Sequence, residues 1–119
     1  MLTASDSEAL RLSAAAGVPE KTHGVYRSRP GAPMAVMTFS NFAPAPPGRV
    51  YQAGARHGAV WVSLGTALPD SAGRARLIAE GTPLASRPDF VEGTMEPAGG
   101  NASPRGPVVV SWDKLRLER

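Results

Sequence analysis

The chain of 119 residues contains no cysteine, which excludes a disulfide bond, a thiolate metal site and a cysteine nucleophile. No apolar run approaches the ~20 residues that cross a bilayer as a helix. The first residues are polar and do not resemble a secretory signal, in which a basic region precedes an apolar one. The chain as given is therefore predicted to be soluble, and its lack of cysteine fits either side of a membrane.

The chain is also poor in residues that carry catalysis. Its two histidines, His23 and His57, each precede a glycine, which is typical of solvated surface histidines, and no G-x-S-x-G nucleophile elbow is present. No short spacing of histidines and carboxylates indicates a metal site. The acidic residues that cluster in the sequence are interpreted as charges on a solvated sheet face: Glu80, Asp89, Glu92 and Glu96. The sequence therefore predicts a domain that is not an enzyme and has no catalytic residue, cofactor or metal.

Positive charge is modest and dispersed along the chain. The net charge is +3, and eleven of the thirteen basic residues are arginines. They are spread from Arg11 to Arg119 with no run of three. This distribution argues against a nucleic-acid partner, because nucleic-acid-binding domains concentrate basic residues in a patch or stripe.

Short alternating apolar segments, separated by many of the 13 glycines and 12 prolines, are the dominant pattern. They predict an all-β fold, an antiparallel β-sandwich of the Ig-like Greek-key type with about seven to eight short strands. The first segment, 10–18, is rich in alanine and leaves a helix open as an alternative. We expect a flexible segment at 1–9 and a single domain at 10–119. The predicted strands lie within 10–18, 22–28, 33–42, 49–56, 59–66, 74–81, 89–97 and 106–112, and the alternation in 113–119 predicts an extension of the last one.

The loop "EPAGGNASPRGP" (96–107) joins two of these strands and is unusually rich in glycine and proline. It is not a phosphate-binding loop, because it has no lysine and a strand follows it rather than a helix. Its tripeptide "NAS" matches the N-glycosylation pattern, which matters only in a glycosylating host. On the residues alone, the loop is predicted to turn the chain between two core strands.

Three runs together resemble the C-terminal extracytoplasmic domain of RskA-type anti-sigma factors. They are "APAPPGRVYQ", "GTALPDSAG" and "TMEPAGGNASPRGPVV". The family pattern is matched by Phe42 to Gln52, by Gly65 to Gly73 and by Thr94 to Val109, and the resemblance covers about Met34 to Trp112. The last run is long and specific in its order.

This resemblance implies a regulatory role. Family members are single-pass membrane proteins whose cytoplasmic zinc-binding domain holds an extracytoplasmic-function sigma factor inactive until regulated proteolysis releases it. The resemblance therefore implies a β-sandwich sensor domain on the extracytoplasmic side of the bacterial plasma membrane. Its implied partners are the sigma factor, through the missing cytoplasmic domain, and intramembrane and site-1-type proteases.

Two glycines depart from the family pattern. Gly54 stands where a tryptophan is usual, and Gly93 stands where a β-branched residue is usual. One interpretation is drift, with Trp61 or a neighbour filling the gap. The other is a ligand pocket flanked by Gly54, Gly93 and Trp61 that admits a small apolar molecule. The alternative function is therefore a small-ligand-binding or carbohydrate-binding β-sandwich.

A homodimer is also considered, because edge strands of antiparallel sandwiches can pair across a two-fold axis. The final run "KLRLER" (114–119), in which leucines alternate with charged residues, is the candidate edge.

Overall fold

The computed structural model describes residues 8–101 and 104–115. It confirms the all-β class and the antiparallel sandwich. The alternating segments form eight strands: β1 (Glu8–Ala14), β2 (His23–Ser28), β3 (Met34–Ser40), β4 (Arg49–His57), β5 (Val60–Ala67), β6 (Ala75–Glu80), β7 (Phe90–Pro97) and β8 (Val108–Asp113). A short 3-10 helix, Thr82–Ala85, connects β6 to β7.

All neighbouring strands are antiparallel, in the order β5-β4-β7-β8-β1-β2-β3-β6. β1 takes part in both halves of this sheet, because Glu8 to Leu12 pair with β2 and Ser13 and Ala14 pair with β8. We call β1, β2, β3 and β6 the front sheet, and β5, β4, β7 and β8 the back sheet. The strands at the two edges of this sheet, β5 and β6, lie beside each other, so the sheet is nearly closed.

The core lies between the two sheets and is built from alternate residues of each strand. Leu10 and Leu12 of β1 are 5% and 0% exposed, which establishes 10–14 as a strand and excludes the helical alternative there. The other large core residues are Tyr26, Met37, Phe39, Phe42, Tyr51, Leu64, Leu84, Val91, Val110 and Trp112. The buried rows confirm that the period-two pattern of the sequence marks the inward faces.

Three local predictions differ from the structure. The segment 33–42 is apolar on both sides and predicts a strand that is buried on both faces. In β3, however, Met34 is 41% exposed, and Val36 and Thr38 are only half-buried. β8 ends at Asp113, and Lys114 and Leu115 are not extended, so the predicted continuation is wrong at those two positions. The rest of the "KLRLER" run lies outside the described residues. At the start of the chain, β1 begins at Glu8, two residues before the predicted domain boundary.

The run "PDSAG" (69–73), which the sequence predicts as a turn because it combines proline, aspartate and glycine, forms a turn that rests on Asp70. Its Oδ1 accepts hydrogen bonds from the backbone N–H groups of Ala72 and Arg74, both at 2.9 Å, and its carbonyl accepts one from Gly73. These three bonds close the connection that crosses from the back sheet to the front sheet. An aspartate that bonds the backbone two residues ahead is a common turn device.

Candidate functional site

The loop between β7 and β8 is organised by a buried carboxylate. Glu96 is 0% exposed, and its Oε1 accepts a 2.7 Å hydrogen bond from Asn101 Nδ2. Its Oε2 accepts bonds from the backbone N–H groups of Arg105 and Gly106, at 3.1 and 2.9 Å. The segment 97–107, of which 102 and 103 are not described, is called the Glu96 loop below. The Glu96 carboxylate therefore binds the first half of this loop at Asn101 and the second half at Arg105 and Gly106.

These hydrogen bonds also set the charge of Glu96. Burial by itself would raise its pKa, but the Gly106 N–H, the side chains of Thr94 and Asn101 and the Arg105 N–H stabilise the charged form. The net result is a pKa below the ordinary value of 4.5. A carboxylate that accepts several hydrogen bonds remains ionised even when water is excluded. At neutral pH, Glu96 is therefore a buried anion whose charge is stabilised by hydrogen bonds from N–H and O–H groups.

Gln52 of β4 fastens the Glu96 loop to the back sheet. Its Oε1 accepts a 2.8 Å hydrogen bond from the Asn101 N–H, and its Nε2 donates a 2.6 Å bond to the Asn101 carbonyl. The same Nε2 donates to Ser63 Oγ of β5 at 3.3 Å. The runs "YQ" and "EPAGGNASPRGP", which are far apart in the sequence, are thus parts of one hydrogen-bonded unit on the outer side of the back sheet.

Glycine is required at two positions in this unit. A Cβ on Gly106 would overlap the Met95 carbonyl oxygen, so only glycine lets the two backbone segments approach this closely. Gly100 has a φ of 73°, and a Cβ there would lie 2.7 Å from Gln52 Oε1. Gly106 therefore serves close backbone approach, and Gly100 serves a left-handed backbone conformation packed against the Gln52 side chain. The sequence alone could not distinguish these roles from a plain turn.

Glu92 lies on the same outward face of β7 and is also buried, with 7% of its surface exposed. In the strand register it stands between Gly54 of β4 and Ser111 of β8. Burial raises the pKa of Glu92, and the negative charge of Glu96 raises it further. The prediction of solvated sheet-face charges is thus wrong for Glu92 and Glu96, while Glu80 is exposed as expected.

The predicted pocket residues lie on different sides of the back sheet. Trp61 covers Gly54: a Cβ on Gly54 would overlap Trp61 Cζ2 and lie 2.7 Å from Trp61 Cε2. Gly93 faces the core, where a Cβ would lie 3.1 Å from Phe39 Cε1 and from Val110 Cγ2. A ligand above Gly54 would have to displace the indole. The ligand pocket at Gly54, Gly93 and Trp61 therefore stays a prediction that depends on movement of Trp61.

The two histidines lie at strand ends, and the Nδ1 atom of each has a polar neighbour within hydrogen-bond distance. His23 begins β2, and its Nδ1 lies 3.0 Å from the Lys21 carbonyl. His57 ends β4, and its Nδ1 lies 3.2 Å from Ser86 Oγ. Burial lowers the pKa of His57, although the charge of Asp89 acts in the opposite direction. Across 8–101 and 104–115, no group of three or more His, Asp or Glu side chains is placed to hold a metal ion.

A cleft of about 500 Å³ opens at one end of the sandwich. Its apolar floor includes Phe42, Tyr51, Met95 and Val109, and Lys21, Thr22, Asn41 and Ser71 are among its polar lining residues. Thr22 Oγ1 donates to the Asn41 carbonyl at 3.0 Å, and Asn41 Nδ2 donates to the Lys21 carbonyl at 3.1 Å. The lining comes from segments that are distant in the sequence, which explains why no local motif revealed it.

Comparison with known proteins gives one result. The family described as "Anti-sigma-K factor rskA, C-terminal" matches residues 2–108, which is most of the chain. No curated protein and no solved structure matches it. Within the described residues, no helix has the length and apolar character needed to cross a membrane. The family match takes in both halves of the Gln52–Glu96 unit, and the chain therefore belongs to the family of C-terminal domains of anti-sigma-K factor RskA.

Proposed function

We propose that this chain is the extracytoplasmic sensor and regulatory domain of a membrane-bound anti-sigma factor. The single observation that carries the proposal is the family match over residues 2–108. The family is one of anti-sigma factors, which are regulatory proteins with a sigma factor as partner. In the proposed protein, a cytoplasmic domain outside this chain binds the sigma factor, and regulated proteolysis releases it.

The internal organisation of the domain supports a role in controlling that proteolysis. Proteases cleave segments that are transiently open, so a segment fixed by many hydrogen bonds resists cleavage until it is released. The Glu96 loop is fixed at Asn101, Arg105 and Gly106 by one carboxylate and at Asn101 again by Gln52. We therefore place the control of protease access at the opening of this loop.

The test uses the full-length membrane protein in its bacterial host, with a reporter driven by the cognate sigma factor. That sigma factor is first identified by capturing the full-length protein and sequencing the proteins bound to it. Glu96→Gln is expected to raise reporter output without a signal and to shorten the lifetime of the full-length protein. Exposed Glu80→Gln is the matched control and is expected to behave as the natural protein does.

Two outcomes would overturn the proposed function. One is a full-length protein that captures no sigma factor. The other is a Glu96→Gln variant whose domain is measurably destabilised while both the reporter and the lifetime of the full-length protein stay unchanged.

Binding of a small ligand or carbohydrate is the second candidate function, and the end cleft favours it. Its volume of about 500 Å³ lies within the range of roughly 300–1,000 Å³ typical of small-molecule sites. A thermal-shift screen with sugars and small apolar compounds tests this function on the purified chain. A hit that Trp61→Ala abolishes would indicate the predicted pocket, and a hit that Asn41→Ala abolishes would indicate the cleft. A broad panel without a hit would count against both sites.

A further inference from the structure

The outward face of the front sheet carries a row of arginines among aliphatic side chains. In the strand register, Arg11 is opposite Val25, and Arg27 is opposite both Ala9 and Val36. On β6, Arg76 is opposite Thr38 and Ile78 is opposite Val36. We call this surface the arginine face; it comprises Ala9, Arg11, Val25, Arg27, Val36, Thr38, Arg76 and Ile78.

None of the three arginines has an acidic cross-strand neighbour. Arg11, Arg27 and Arg76 are all exposed. In the part of the chain that the structure describes, the ion pairs are Arg87–Glu8 and Lys114–Asp89, and neither involves these arginines. Among the described residues, these three exposed guanidinium groups therefore have no ion-pair partner, which favours an external anion.

The acidic residues near this surface lie at its ends. Glu80 is exposed at the end of β6, and exposed Glu20 lines a surface depression together with Arg11. Asp70 lies in the turn before β6, where Arg74 offsets its charge. Among the described residues, the centre of the arginine face is therefore cationic and aliphatic, with Thr38 as its uncharged polar member.

The aliphatic members distinguish this surface from an ordinary solvated face. Ile78 is 57% exposed, and Val25 and Val36 are half-buried between the arginines. Guanidinium groups beside exposed aliphatic side chains suit the boundary between phosphate headgroups and acyl chains. The back sheet offers no equivalent surface, because the Glu96 loop and Trp61 lie against its outward side.

We propose that the arginine face docks on a bilayer that contains anionic phospholipid. The choice of a membrane over an acidic protein rests on the proposed function, which places a membrane-spanning segment in the same polypeptide. Tethering raises the effective concentration of the bilayer at the domain, so a weak electrostatic attraction is sufficient. Docking orients the domain with the front sheet toward the bilayer and the Glu96 loop away from it.

The first test measures partition of the purified chain onto vesicles of phosphatidylcholine with and without phosphatidylglycerol. Binding is expected only with phosphatidylglycerol, and salt is expected to weaken it. The triple variant Arg11→Gln, Arg27→Gln and Arg76→Gln is expected to lower the partition coefficient roughly a hundredfold. The matched control, Arg49→Gln, Arg56→Gln and Arg105→Gln, removes three exposed arginines of the back sheet and its loop and is expected to change it much less.

The second test does not depend on the triple variant folding. Because the chain has no cysteine, one environment-sensitive fluorophore can be attached at Ile78→Cys or at Val60→Cys, two positions with 57% and 53% exposure. The label at position 78 is expected to shift to the blue on phosphatidylglycerol vesicles, and the label at position 60, on β5, is expected to remain unchanged.

Several outcomes would overturn the proposal. They are no binding to anionic vesicles, equal loss in both triple variants, or equal shifts of both labels. Binding to polyglutamate but not to the vesicles would also overturn it and would indicate an acidic protein partner instead. Because these assays use the isolated chain, their failure is distinct from a failure of the sigma-factor reporter.

Discussion

At the scale of single residues, Glu96 is a structural anion. It is completely buried, yet its pKa is lowered because N–H and O–H donors surround both oxygens. Hydrogen bonds to a charged group are stronger than neutral ones, and leaving their buried donors unpaired is costly.

Glu96→Gln is expected to destabilise the domain by about 2–4 kcal/mol. The amide has only one oxygen, so its NH₂ group must face either Asn101 Nδ2 or the N–H groups of Arg105 and Gly106. Urea denaturation at neutral pH measures the change. The exposed Glu80→Gln is expected to stay within about 0.5 kcal/mol of the natural protein. Equal stabilities of the two variants would show that the buried carboxylate does not hold the loop.

At the scale of elements, β4 and β5 depend on one close contact between a glycine and an indole. The pairing of these strands shifts register between Ala53 and Gly54, and Trp61 lies over Gly54. The missing side chain at position 54 is thus compensated from the neighbouring strand.

Gly54→Ala is expected to cost about 1–3 kcal/mol, because the new methyl group overlaps the indole and forces it to move. In a Trp61→Ala background this cost is expected to fall by about 1 kcal/mol or more, which a double-mutant cycle measures. If Gly54→Ala lowered the stability by the same amount in both backgrounds, the two residues would not interact.

The elements of this fold also show which features the local sequence could predict and which it could not. Alternation located all eight strands, and Asp70 with Gly73 located a turn, because these signals depend on neighbours within a few residues. The buried state of Glu96 was missed, because its donors other than Thr94 come from positions five to ten residues away in a loop without regular structure. For Gly54, the sequence favoured drift over a pocket but could not decide between them, since the position of Trp61 depends on the strand register.

At the scale of the whole molecule, the pH dependence of stability combines two opposite contributions from β7. Glu96, with its lowered pKa, stabilises the fold above its unfolded pKa of 4.5, and this stabilisation is lost as the pH falls. Glu92, with its raised pKa, destabilises the fold increasingly as the pH rises above 4.5. On the strands that flank β7, the charged residues that share the outward face with Glu92 and Glu96 are Arg56 on β4 and Asp113 on β8.

Glu92→Gln is therefore expected to gain stability relative to the natural protein as the pH increases from about 4 to about 8. The neutral amide does not have to lose a proton in a site from which water is excluded. Thermal unfolding of both proteins across this range, with Glu80→Gln as the exposed control, measures the difference. A stability difference that is constant with pH would contradict a raised pKa at Glu92.

The sharing of β1 between the two sheets has a mechanical consequence. A force applied to the chain ahead of Glu8 is transmitted directly to β1, which pairs with β2 through Glu8 to Leu12. Among the described residues, the backbone hydrogen bonds that join β1 to the back sheet are the pairing of Ser13 and Ala14 with β8 and the bond from Ala15 N–H to the Val109 carbonyl. Extraction of this single strand would therefore open the seam between the two sheets and expose the interior of the domain to solvent.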